Sequence, residues 1–125
     1  MRALQLSSGH IALRDVPIPE LEPHEVLVKV AGAGLCHSDL HLLNVPGLPT
    51  MTLGHETAGH VAALGDQVVG FAEQDAVLVY VIWACGLCRP CVEGRDNVCV
   101  NAGGRDGQPP GPGLGYDGVW PSTSR

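Results

Sequence analysis

A chain of 125 residues has room for one domain with a sizeable core and not for two full ones, since domains run to roughly 100–200 residues. Its 17 glycines and 10 prolines stay under the roughly 25–30% share that marks low complexity, and a hydrophobic content of 45% supports a packed, turn-rich globular fold. A net charge of −6, with Lys29 as the single lysine, provides no basic footprint for a phosphate backbone or an anionic lipid surface, which argues against nucleic-acid and membrane partners.

From the N-terminus, Met1–Asp15 holds no apolar run of the roughly 7–15 residues that a secretory signal requires, so a cytoplasmic location is expected. Met1–Leu6 and His10–Arg14 flank Ser7-Ser8-Gly9 as the two arms of a hairpin. A loop carrying Pro17, Pro19 and Pro23 leads to the clearest strand, Glu25–Val30. There Val26, Val28 and Val30 fall on one face and Glu25, Leu27 and Lys29 on the other, as in an edge strand or a barrel wall. Gly32-Ala33-Gly34 is expected to break it. Ser38–Asn44 predicts two helical turns with Ser38 as N-cap, stopped by Pro46-Gly47. Gly59–Leu64 and Ala76–Ala84 predict further strands. The apolar run Ala76–Cys85 is too short for the 18 or so residues that span a bilayer, and it reads as a buried strand. Short strands with few helical stretches favour a small Greek-key or partly open barrel, a mainly β fold, over a doubly wound sheet. After Cys99 the Gly/Pro-rich run Gln108–Gly113 reads as an irregular loop.

Four of the five cysteines crowd between Cys85 and Cys99. In a secreted miniprotein this would suggest disulfides; in a chain without an export signal it favours a metal. Cys85-Gly86-Leu87-Cys88-Arg89-Pro90-Cys91 followed by Cys99 is a C-x2-C-x2-C-x7-C array. A knuckle of close cysteines, turned at Gly86 and Pro90, can supply three thiolates to a tetrahedral zinc, with the fourth arriving from the far side of the loop. An iron–sulfur run is the competitor, but its usual C-x2-C-x2-C-x3-C-P spacing differs in the last interval, and no proline follows Cys99.

A second constellation joins Cys36-His37-Ser38-Asp39-Leu40-His41 to Gly54-His55-Glu56-Thr57-Ala58-Gly59-His60. A cysteine or histidine alone is more often packing than ligand. Cys36, His55 and Glu56 together are zinc-compatible donors, and a site with few protein ligands keeps a position open for water or substrate. If a short helix starts near Ser38, His37 and His41 lie one turn apart on one face. His10 and His24, beside turns, read as solvated, and His60 as a non-ligand.

These residues resemble the zinc-dependent alcohol dehydrogenases of the medium-chain dehydrogenase/reductase family. The likeness runs from the strand Glu25–Val30 through Gly34-Leu35-Cys36-His37-Ser38-Asp39, Gly54-His55-Glu56-Thr57-Ala58-Gly59 and the four-cysteine loop to Asn97 beside Cys99. It implies a GroES-like, mainly β catalytic domain, a partly open barrel with short helices and a four-cysteine zinc lobe, normally followed by a Rossmann domain that binds the nicotinamide cofactor. Cys36 and His55 then match the catalytic zinc ligands, Glu56 the neighbouring carboxylate, and Cys85, Cys88, Cys91 and Cys99 the structural zinc site. Ser38 and His41 match the proton relay, and His37 a contact to the cofactor pyrophosphate. The implied reaction is NAD- or NADP-linked oxidation of a small-molecule alcohol to an aldehyde or ketone, in full-length relatives that form homo-oligomers. Zinc favours ionisation of the alcohol, and a hydroxyl passing the proton to an imidazole suits a group whose unperturbed pKa is near 6.5.

The sequence departs from that family in three places. Gln74 stands before Asp75 where the family usually has glycine, so an altered turn is expected. The family's further catalytic ligand, a Cys or Asp beyond the lobe, has no counterpart, because Cys99 is already assigned. Gly113-Leu114-Gly115-Tyr116-Asp117-Gly118 spells G-x-G-x-x-G, yet no strand precedes it and no helix can follow, so it is read as a chance match. The expected organisation is a catalytic domain over 1–118, with its zinc lobe at 85–99, a tail at 119–125 unlike the family, and no Rossmann domain. Back-translated and read two bases later, Val119–Arg125 permits Met-Ala-Glu-Tyr, the kind of segment the family has there, which suggests a frameshifted C-terminus. Alone, such a chain is expected to be inactive. A non-enzymatic zinc-stabilised binding or assembly module is the alternative from another class, and a polyol- or aldehyde-directed relative the alternative within the family.

Overall fold

Six strands, two short helices and a 3-10 turn make up residues 1–102, the part that the structure, a computed structural model, describes. In chain order they are β1 (Arg2–Ser7), β2 (His10–Asp15), β3 (Val26–Gly34), α1 (His37–Leu42), β4 (Met51–Thr52), β5 (Glu56–Leu64), β6 (Ala76–Val79), α2 (Arg89–Val92) and the 3-10 turn Asp96–Val98. The strands form two three-stranded antiparallel sheets, ordered β2-β1-β4 and β3-β5-β6, and no closed barrel. The chain-end motifs Gln108–Gly113 and Gly113–Gly118, and the tail 119–125, lie outside the described residues.

The β1–β2 hairpin turns on Ser8 and Gly9, with φ of 50° and 76°. Two successive positive φ values match the right-handed twist of paired strands, and glycine enters that region without steric cost. On the other side of β1, Leu6 pairs with Met51. Leu6, Met51 and Leu53 are buried together, with Leu42, Leu43 and Leu48 packed against them. The end of α1 and the loop after it are thus pinned to the first sheet by partly buried leucines, each contributing a fraction of the about 1.5–3 kcal/mol of a fully buried one.

The structure corrects four sequence expectations. Strand β3 does not break at Gly32-Ala33-Gly34: these residues pair with Ala58, Thr57 and Glu56, after a register shift between Val30 and Gly32. Glycines inside a strand here mark a bulge and a close approach rather than an end. Strand β5 correspondingly starts at Glu56, three residues before the expected Gly59. Helix α1 is capped by Cys36, not by Ser38, which lies inside its first turn. Finally, Ala76–Ala84 is neither one strand nor buried. Pairing ends at Val79, and Leu78 is 84% exposed. Strand β6 is the outer strand of its sheet, and among the described residues nothing is layered over its Leu78 face.

Other expectations hold. Strand β3 is an edge strand, and His10 and His24 are exposed. Gln74 takes a positive φ of 73° where glycine would be unstrained, and Asp75 Oδ2 accepts the Ala72 N–H at 2.8 Å to close that turn. No helix among the described residues is long and apolar enough to cross a membrane.

Candidate metal centres

Two residues past the end of β3, Cys36 is the extended N-cap of α1. Asp39, in the first turn, reaches back so that its Oδ2 accepts the Cys36 backbone N–H at 3.0 Å, as an acidic residue does at the third position of a helix. Its other oxygen, Oδ1, lies 3.3 Å from His55 Nδ1. Both side chains are buried, with Asp39 at 1% and His55 at 7% exposure. The contact is off the axis of a hydrogen bond, and neither atom has another partner among the described residues. A carboxylate only accepts, so the tautomer that suits this pair carries the proton on Nδ1, with Nε2 as an acceptor. Ser38 Oγ stands 3.1 Å from that Nε2 and, in this tautomer, donates its O–H to it.

A Cys36 sulfur, a His55 ring nitrogen and a Glu56 carboxylate oxygen all fall within 4.8 Å of one another. Strand pairing brings them together: Gly34, two residues before Cys36, faces Glu56 across the β3–β5 register. A Cβ on Gly34 would collide with the Glu56 carboxylate oxygen and lie 3.1 Å from Glu56 Cβ. The missing side chain is what lets the carboxylate lie back over β3 beside Cys36. Sulfur, imidazole and carboxylate donors suit zinc, and an imidazole backed by a buried carboxylate is oriented for ligation. His60, exposed on β5 opposite Lys29, lies outside this group.

His37 and His41 share one face of α1, as their spacing predicts, with ring centroids 5.3 Å apart and planes at 22°. Both are exposed. Among the described residues no hydrogen bond links Ser38 to His41; Ser38 turns to His55, and His41 stacks on His37.

The second cluster is the four-cysteine lobe. Gly86 turns the chain with φ 69°, Cys88 caps α2 with Pro90 in its first turn, and the 3-10 turn delivers Cys99. All four sulfurs lie within 4.8 Å of one another, Cys88 to Cys91 at 3.3 Å and Cys88 to Cys99 at 3.8 Å. A tetrahedron with Zn–S legs of 2.3 Å has edges of about 3.8 Å, so the donors fit that ion. The cysteines are free thiols, not disulfides. The Cys88 N–H donates to Cys85 Sγ and the Cys85 N–H to Cys99 Sγ, each at 3.3 Å. The Asn101 amide, with the Leu87 and Cys88 backbone N–H groups, draws the Cys85 thiol down to about 6. The Cys91 backbone N–H lowers Cys88. Desolvation, followed by the neighbouring Cys88 thiol, pushes Cys91 up to about 12. Donors aimed at sulfur favour thiolate, the form that binds metal.

Two residues of these centres escape a reading for metal donors. Asp39 is legible only as an acidic residue three after a helix cap, a pattern that says nothing of its second contact, to His55. Asn101 carries no signal at all, because its role depends on where the loop closes.

The chain matches the alcohol dehydrogenase GroES-like domain family over residues 22–121. It is similar to the NAD-dependent alcohol dehydrogenase of Sulfurisphaera tokodaii, 36% identical over 96% of this chain and 36% of that protein. Among solved structures it resembles galactitol-1-phosphate dehydrogenase from Escherichia coli, with a TM-score of 0.78 and 30% identity over 95% of this chain and 34% of that one. It also resembles a protein from Sinorhizobium meliloti assigned as a zinc-binding dehydrogenase, with NADP bound, at a TM-score of 0.75 and 37% identity over 94% of this chain and 33% of that one. The chain spans about a third of the length of these relatives. With both sequence and fold matched over most of its residues, the chain belongs to the alcohol dehydrogenase GroES-like domain family of the medium-chain dehydrogenase/reductases.

Proposed function

We propose that this chain is the catalytic domain of an oxidoreductase that converts a small alcohol to an aldehyde or ketone with NAD or NADP as hydride acceptor. The observation that carries the reading is the meeting of Cys36, His55 and Glu56 in front of the buried Asp39. These three residues would hold a catalytic zinc, and Cys85, Cys88, Cys91 and Cys99 a structural one. Zinc at the first site supplies Lewis acidity that favours ionisation of an alcohol hydroxyl near neutral pH.

The chain's own residues do the rest. Asp39 keeps the proton on His55 Nδ1 and so keeps Nε2 turned toward the cluster. Ser38, whose hydroxyl is released when Nε2 turns to a metal, is assigned the alcohol proton, and the exposed His41 one turn on is assigned its passage to water, for which it must leave its stack on His37 and take up the Ser38 contact it lacks here. His37, stacked on His41 at the exposed face, is assigned the contact to the cofactor pyrophosphate. Hydride transfer needs donor and acceptor held about 3–3.5 Å apart, a task we assign to the part of the relatives that this chain does not span, so the chain alone is proposed to be inactive.

The test is metal counting with an alcohol titration. The purified chain should bind two zinc ions, falling to one in Cys36→Ser and to one in Cys88→Ser. With cobalt in place of zinc, small alcohols should perturb the visible spectrum of Cys88→Ser, in which the lobe is disabled. Indifference to alcohols would favour a zinc-stabilised assembly module, and alcohol-dependent reduction of NAD or NADP by the pure chain would remove the claim of inactivity.

A further inference from the structure

Asn101 lies two residues past Cys99, outside the cysteine array. Its backbone N–H donates to Cys99 Sγ at 3.4 Å and its side-chain Nδ2 donates to Cys85 Sγ at 3.2 Å. Those sulfurs belong to the first and last cysteines of the lobe. They are already joined once, by the Cys85 N–H on Cys99 Sγ at 3.3 Å. One residue therefore grips both ends of a loop whose middle is held by α2.

We infer that Asn101 is the clasp of the four-cysteine lobe, a positioning residue whose two N–H donors set how firmly the lobe retains zinc and how readily its sulfurs react. The inference rests on the proposed reading of the lobe as a zinc site. Four thiolates around one divalent ion leave two net negative charges on sulfur, and Cys99 is only 8% exposed, so water has little access to that sulfur. Hydrogen bonds to charged acceptors are the stronger kind, and partners behind the ligands commonly change metal affinity about 10–100-fold. The amide matters for its donor end: a carboxylate of the same shape would turn an acceptor and a negative charge toward Cys85.

The experiment loads cobalt into the full chain carrying Cys36→Ser, so that sulfur-to-cobalt charge transfer comes from the lobe alone. Asn101→Ala and Asn101→Asp are compared with that parent at full occupancy, where unfolded protein contributes no tetrahedral band. A hydrogen bond lowers the energy of the sulfur lone pairs, so losing it should move the band to longer wavelength in both variants. Zinc transfer to a competing chelator should be about 10-fold faster in Asn101→Ala and faster again in Asn101→Asp. If the Asn101 amide is not a donor to Cys85, Asn101→Ala will match the parent in band position and release rate. That result, or no change in either variant, overturns the clasp. A parent that forms no tetrathiolate cobalt spectrum overturns the zinc reading of the lobe itself, before any variant of Asn101 is considered.

Discussion

The two candidate metal centres are built in opposite ways. In the lobe, four like donors come from a single loop, Cys85 to Cys99, and turns within that loop hold them. In the Cys36–His55–Glu56 site, unlike donors come from the end of one strand and the start of another, and they meet only because β3 and β5 pair. The lobe is a local device that ties down its own segment. The other site is a product of the whole second sheet, and its precision depends on groups that never touch a metal: Asp39 behind His55, and Gly34 beneath Glu56. Three donors need such support more than four do, because fewer ligands are left to hold a metal by themselves.

The largest effect that tests this contrast is removal of a lobe ligand. Structural zinc sites supply folding free energy of about 10–16 kcal/mol in small peptides, so Cys88→Ser should lose one zinc and open residues 85–99 to proteolysis. Retention of the metal at Cys36 and His55 in the same variant would show that the two centres are independent. Loss of both metals would mean that the lobe supports the sheet after all.

Asp39→Asn is the matching test on the other side. The amide can still accept the Cys36 N–H, but the carboxylate facing His55 is gone. Metal affinity at Cys36–His55–Glu56 should fall about 10–100-fold, read by competition with a chelator, while zinc in the lobe stays put. Unchanged affinity would show that the buried Asp39–His55 contact is packing alone.

Smaller effects are expected from paired glycine variants. Gly34→Ala pushes a Cβ into the Glu56 side chain, whereas nothing lies within 4 Å of the Cβ position of Gly32. Gly34→Ala should swing the exposed Glu56 carboxylate away from Cys36 and weaken metal binding there by about 2–10-fold with under about 1 kcal/mol lost in denaturant unfolding, and Gly32→Ala should leave metal binding unchanged and be neutral or stabilising by about 0.5 kcal/mol. Equal behaviour of the two would remove Gly34 as the seat of Glu56.

The finest test is titration of the lobe in the metal-free chain, in the fraction of it that still resists proteolysis at residues 85–99. The thiol of Cys85 is lowered from its ordinary 9.0 to about 6, so its thiolate favours the folded lobe. That contribution is complete above the ordinary value, shrinks as pH falls toward 6 and is gone below it. Alkylation mapped by peptide mass should show Cys85 reacting with a midpoint near pH 6 and Cys91, raised to about 12, silent through neutral pH. A common midpoint for the two would dissolve the internal order of the lobe.

What was readable before any coordinates follows from the range of each interaction. The C-x2-C-x2-C-x7-C spacing declares a meeting of four sulfurs because a short loop covers it, and Ser8-Gly9 declares a hairpin for the same reason. Even Gln74 before Asp75 announced its altered turn. Range also explains the failures. Gly32-Ala33-Gly34 looks like a strand end to any local rule, and only pairing with Thr57, Ala58 and Glu56 makes it a continuation. Ser38 is a good N-cap by propensity, yet the neighbouring Cys36 takes that position and Ser38 turns to His55, 17 positions away. The run Ala76–Cys85 is apolar enough for a core, but composition cannot say that β6 ends up on the outside of its sheet. The residue types by themselves determined which chemistry this chain can hold. The tertiary structure decided which side chains face one another, because the Asp39–His55 contact and the Asn101 hydrogen bonds form only once distant segments are brought within a few ångströms.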